Sequence, residues 1–274
     1  MNELFLLDEL YNKTYSIENY PQENNLEKFL YYKYQKNDGI DPDASEIMMK
    51  IHLDGNQLFD KDKSYYEKYA WRKYQIINNG TYYRGDTIFN CMELLLQIAN
   101  NYREGRKNEK IDVNSLKKTD FYLRNEDLIN NFIYWCYNPG NMCVVPFSQR
   151  NSSLNIAKEY LSQPGYKYCI KDSADCFFRV LANYFTDTQT SKSKEKIEER
   201  LDNDKKYRAW RERYHGHIDK FISDNCFQPF FEGNVPKPFF IISEEGFEAD
   251  IKEYMKRVIN ALKERTRLLM NPVV

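Results

Sequence analysis

The chain has 274 residues, a formal net charge of −1, and 42% hydrophobic and 16% aromatic residues. A chain of this length buries a core without disulfide staples, and its near-neutral balance argues against a general polyanion or polycation partner. No run approaches the ~18 apolar residues of a membrane span. Glu3 and Asp8 stand where a secretory signal carries bases, so a cytosolic protein without membrane association is expected. The six cysteines form no CxxC pair and read as reduced, mostly buried thiols. Charge is uneven: 1–62 holds 13 acids and 6 bases, and 63–185 holds 17 bases and 12 acids. The bland reading is that these halves pack on each other, and the sharper one is a modest anion-binding surface.

In chain order, residues 2–11 read as a short amphipathic element, and 14–25 as a loop around Pro21. Leu26 to Tyr34 has helical spacing. A second helix follows Asp43 or Ser45, carries Ile47, Met48, Ile51 and His52, and ends at Asp54-Gly55. Lys63 to Ile77, with Tyr65, Tyr69, Trp71, Tyr74 and Ile77, reads as an aromatic helix. Asn78-Asn79-Gly80 is a strong turn. Ile88 to Tyr102 is a helix with a broad apolar stripe, 103–119 a charged loop, and Asp127 to Trp135 a further helix. Met142 to Val145 is a short strand stopped by Pro146, and Ile156 to Leu161 is helical. Ala174 to Phe185 should be a deeply buried helix, and Lys194 to Phe221 a long charged one with Trp210 on its apolar face. Phe239 to Ile242 is a candidate strand, and Ser243 can cap a final helix, Phe247 to Leu269. With no internal repeat or glycine-rich linker, one compact domain is expected, mainly α (α+β with a few short strands).

Two stretches stand out. Arg84-Gly85-Asp86-Thr87 reads as a turn ahead of a helix, with Asp86 or Thr87 as its cap. The alternative puts Arg84 and Asp86 into a cleft at a helix N-terminus, where backbone N–H groups favour an anion. Asn138-Pro139-Gly140-Asn141 suits a type II turn. Beyond it, Ser148, Gln149, Arg150, Asn151, Ser152, Ser153 and Asn155 put seven polar side chains into eight positions. Either they line a site, or Asn and Ser merely shape the loop through nearby backbone. His215-x-His217 is a weak metal signal, because i and i+2 diverge on a helix. His52 alone on an apolar face reads as core. Basic–aromatic mixing over 191–220 suits base stacking, but it suits a solvated helix burying Trp210 better.

RGDT before a helix, followed by N-x-G-N-[aromatic or Met]-x-x-x-P at 138–146 and an Asn/Arg-rich segment, resembles an uncharacterised bacterial family of unknown function. The match covers residues 81–96 and 130–160. The second part also resembles, remotely, the tail of the His-Me (HNH) nuclease module. That resemblance implies a loop-tying role for Asn141, a divalent metal facing Asn155 and Asn151, and a phosphate near Lys158. It departs at the general base, since residues 121–140 contain no His. Tyr137 stands where the uncharacterised family often has one, and a phenol with a pKa near ~10 is a poor base at neutral pH. The nuclease reading thus becomes a degenerate one, leaning away from catalysis. The expected activity is binding of a nucleic acid, nucleotide or other phosphate-bearing ligand by Arg84, Asp86, Asn141, Arg150, Asn151, Asn155 and Lys158. No cofactor is expected, and a divalent metal enters only through the nuclease resemblance. The alternative is a non-catalytic protein-interaction domain whose polar loops hold the fold.

Overall fold

The computed structural model describes residues 46–70, 73–89, 91–102, 113–146 and 212–270. The elements expected at 2–11 and 26–34, the helices at 156–161 and 174–185, and most of 194–221 lie outside the described residues.

The described part is α+β. Helix α1, Glu46–Gly55, buries Met48, Met49, His52 and Leu53 on one face. Strands β1 (Ser64–Ala70), β2 (Lys73–Asn78), β3 (Thr81–Thr87) and β4 (Met142–Pro146) follow. They form one antiparallel sheet in the order β1-β2-β3-β4. The turn expected at 78–80 joins β2 to β3: Asn79 (φ 48°) and Gly80 (φ 77°) are both left-handed, as a two-residue hairpin turn that matches strand twist requires.

The aromatic helix expected over Lys63 to Ile77 is instead β1 and β2, with Tyr66 opposite Ile76 and Tyr65 opposite Ile77. Aromatic and β-branched side chains suit a pleated, half-buried surface. Arg84-Gly85-Asp86-Thr87 is likewise no turn but the end of β3, paired residue by residue with Val145, Val144, Cys143 and Met142. Asp86 and Thr87 therefore lie within the strand, five and four residues ahead of the helix that starts at Cys91.

Helix α2 spans Cys91–Asn101 and α3 spans Asp120–Cys136. Thr119 caps α3 by accepting from the Tyr122 N–H at 3.1 Å. A kink falls at Asn125 (φ −131°, ψ 24°), whose amide donates to the Phe121 carbonyl at 2.9 Å. Helix α4 is Ile218–Asp224. The long helix expected through Phe221 is interrupted just before it, at left-handed Gly216 (φ 71°). The strand expected at 239–242 is absent, and the pairing there is the small hairpin β5 (Phe231–Glu232) with β6 (Val235–Pro236).

Helix α5, Phe247–Met270, is the longest described element. Its buried face, from Ile251 through Met255, Val258, Leu262 and Leu269, packs on α3, on α1 and on the turn Pro139–Asn141. Ser243 does not cap α5 directly. It donates through its N–H and hydroxyl to Asp250 Oδ1, at 3.0 and 2.6 Å, and so fastens the approach to the first turn. One contiguous core joins the sheet, α2, α3, α4 and α5. Among the described residues no helix is long and apolar enough to cross a membrane.

Candidate functional site

The turn after α3 is built from backbone outward. Asn138 is extended, and a single 3-10 turn follows at Pro139–Asn141, closed by the Asn141 N–H on the Asn138 carbonyl at 3.0 Å. Gly140 is not left-handed, unlike the expected type II turn. Glycine is needed there for space, because a Cβ would strike the Leu262 carbonyl of α5. From Asn138 to Pro146 every residue is buried.

Asn141 is fully buried, and its carboxamide is spent on the protein itself. Nδ2 donates to the carbonyls of Phe89 and Cys136, at 3.0 and 2.8 Å, and Oδ1 accepts the Phe89 N–H at 2.8 Å. Asn141 thus ties the end of α3 to the approach to α2. As a ligand-facing group it must be given up, since it reaches no surface. Arg84 and Asp86 lie two apart on β3, the strand next to β4. Arg84 is half-buried. Asn141 is turned into the interior and does not join Arg84. Arg150, Asn151, Asn155 and Lys158 lie outside the described residues, so the expected cluster is represented by Arg84 and Asp86.

Sequence reasoning missed a buried polar seam beneath the turn. Arg265 of α5 is fully buried. Its Nη1 donates to the carbonyls of Gly140 and Met142, at 2.7 and 2.5 Å, while Nε and Nη2 donate to the Asn225 carbonyl at 3.2 and 3.1 Å. The guanidinium lies 4.5 Å from the Phe227 ring centroid, a cation–π contact out of water. Burial lowers the Arg265 pKa to about 10, with Cys143 and Cys226 acting the other way. The charge persists at neutral pH, and carbonyl dipoles stand in for a carboxylate.

The seam continues into α4. Buried Asp224 accepts from Arg213 Nε and Nη2, at 2.8 and 2.6 Å, from the Tyr214 hydroxyl at 3.3 Å and from Lys220 Nζ at 3.3 Å. Asn225 Nδ2 donates to the Phe221 carbonyl at 2.9 Å and to the Tyr214 hydroxyl at 3.4 Å. Asn56 Nδ2 closes the link to Asn225 Oδ1 at 3.4 Å. Burial, then Asp224, raises the Tyr214 pKa. These groups are saturated by one another, which suits a tie between α1, α4 and α5.

His52 is the exception. It is fully buried, and neither ring nitrogen has a hydrogen-bond partner among the described residues. Burial and then the Arg265 charge push its pKa down to about 3, although the nearby Pro139 carbonyl favours the proton. An unfolded chain takes up this proton near ~6.5. Between those values the unfolded state binds it and the folded state does not, so stability falls as pH falls, by up to about 1.4 kcal/mol per pH unit. The expected result is a urea midpoint that drops from pH 7 to pH 5, above the range where carboxylates titrate. His52→Leu should flatten that drop, and an unchanged slope in the variant would refute the assignment.

Cys91, Cys136, Cys143 and Cys226 are free and buried. Burial raises the Cys136 thiol, and neighbouring Cys91 raises it further, so it is a poor nucleophile. Among the described residues no three or more His, Cys, Asp or Glu side chains are grouped to hold a metal. His215 and His217 are both exposed. In comparisons with known proteins, no family model, no curated protein and no solved structure matches the chain.

Proposed function

We propose that this chain is a single-domain, non-catalytic binding protein that acts through an interaction surface. The commitment of the Asn138–Pro146 turn to the interior carries the reading. The polar groups that would equip a reaction centre there, Asn141 above all, are bonded to the backbone of Phe89 and Cys136. Meanwhile Val235, Ile241 and Ile242 stand exposed at 67%, 45% and 66%, close together in sequence just ahead of α5. On this reading they supply the apolar part of the contact.

A second reading keeps the phosphate-bearing ligand. It is favoured by one observation: half-buried Arg84 pairs with Val145, next to Pro146, the last residue of β4. A thermal-shift panel of mononucleotides, oligonucleotides and divalent cations separates the two. The interaction reading expects an unchanged Tm with every member. A rise of several degrees that disappears in Arg84→Ala, with that variant's own Tm unchanged, would replace it with the second reading.

A further inference from the structure

A cavity of about 320 Å³ opens on the flank of α5, at the lower end of the size that takes a small ligand or a single large side chain. One wall is a helical face, Arg257, Asn260, Ala261 and Glu264, spaced by three and four residues. The other is the segment after α4, with Pro229, Lys237, Pro238 and Phe239. Proline, phenylalanine and alanine carbons make most of the lining, and the two cations stand over it.

Both cations keep donors to spare. Lys237 Nζ donates to the Pro229 carbonyl at 3.2 Å and Arg257 Nη1 to the Phe239 carbonyl at 3.1 Å. An ammonium has three N–H donors and a guanidinium five. Among the described residues neither is ion-paired. Glu264, the acid of the lining, is held by Arg267 at 2.5 Å, and nearby Glu253 by Lys256 at 2.7 Å. The cavity therefore offers an apolar floor and two cations with donors to spare, Arg257 also acting on the Glu253 carboxylate of its own helix, with exposed Val235, Ile241 and Ile242 alongside in the chain.

We propose that this cavity docks the C-terminus of a partner polypeptide ending in a large apolar residue. The terminal carboxylate is taken by Lys237 and Arg257, the last side chain enters the cavity, and the preceding residues cover Val235, Ile241 and Ile242. The inference rests on the interaction reading above and names its partner. Charge complementarity selects a carboxylate, and Arg257 can hold one bidentately. The carbon lining selects an apolar body, and the exposed side chains outside the cavity call for an occupant longer than one residue.

The test is amide NMR on the full chain, titrated with acetyl-Ala-Leu-Val-Phe as free acid, the same peptide as C-terminal amide, acetyl-phenylalanine, and inorganic phosphate. The free-acid peptide should shift the amides of 229–239 and 257–264 saturably. The amide should bind at least about tenfold more weakly, the loss of a charge-assisted hydrogen bond. Acetyl-phenylalanine should also bind about tenfold more weakly, having nothing to cover the flanking apolar residues. Arg257→Gln and Lys237→Gln should each reproduce the loss at unchanged Tm. Equal binding of acid and amide, or no shift at all, would overturn the assignment. Equal affinity of acetyl-phenylalanine and the peptide would make this a site for a small free carboxylate, and competition by phosphate would make it a plain anion site. Any of these would overturn the polypeptide partner. The interaction reading itself stands or falls on the separate thermal-shift panel.

Discussion

Arg265→Leu is expected to leave too little stability for the chain to accumulate folded at 37 °C. Leucine keeps the site apolar, but it removes the donors serving the carbonyls of Gly140, Met142 and Asn225. A buried polar group that loses its partner costs roughly 1–3 kcal/mol, so three such groups amount to about 5 kcal/mol. The cation–π contact with Phe227 is lost as well. Domains have only about 5–15 kcal/mol in total. Exchanging a buried ion pair for apolar residues can be neutral, because both partners leave together. Here the partners are main-chain carbonyls and cannot leave. Arg265→Lys is expected to rescue little, since one ammonium lacks the fork that spans Gly140 and Met142 on one side and Asn225 on the other. Urea unfolding and soluble yield measure both variants. Arg265→Leu within about 1 kcal/mol of the parent would show that the seam is incidental.

The elements read correctly from sequence were those with one dominant period or a turn of fixed chemistry. Met48 and His52 in α1, Leu94, Leu95 and Ile98 in α2, and Ile251, Met255, Val258 and Leu262 in α5 recur at helical spacing and are buried. Asn79-Gly80 demanded left-handed residues, and Pro146 ended β4. Tyr65 and Tyr69 misled because a separation of four places residues on one face of a helix and also on one face of a strand. The Asn-Gly turn was the arbiter, since a hairpin turn needs a strand on each side. Gly85 suggested a turn by composition, yet it lies in β3 opposite buried Val144. The polar seam was hard to see because Arg265 sits among Lys263, Glu264 and Arg267, and its type is unremarkable there. Its phase was the available signal: Arg265 is seven residues after Val258 and three after Leu262, in the middle of the buried stripe. Gly140 was misread for a related reason. A glycine after proline signals backbone freedom, whereas the space it leaves depends on a helix more than 120 residues away.

That helix makes Gly140→Ala the second large effect, expected at about 3 kcal/mol or more. Overpacking a core ordinarily costs about 1–3 kcal/mol, and it is mild when the obstacle is the end of a flexible side chain. Here the new methyl would overlap the carbonyl oxygen of Leu262 and come within 2.5 Å of Thr266 Oγ1. The first obstacle is helix backbone and cannot rotate away, so α5 must move. Moving α5 strains the Gly140 N–H bond to Thr266 Oγ1 at 3.1 Å and the Arg265 bond to the Gly140 carbonyl at 2.7 Å. It also disturbs a second contact of the same kind, where Gly55 at the end of α1 lies against the Leu269 carbonyl. Gly80→Ala is the control: nothing lies within 4 Å of a Cβ there, and its cost is the left-handed backbone alone, φ 77°, about 1 kcal/mol. Adding Thr266→Ala to Gly140→Ala removes the movable obstacle and leaves the fixed one, so it should restore little. Full recovery in that double variant, or a Gly140→Ala midpoint no lower than that of Gly80→Ala, would mean that α5 does not approach the turn at backbone distance.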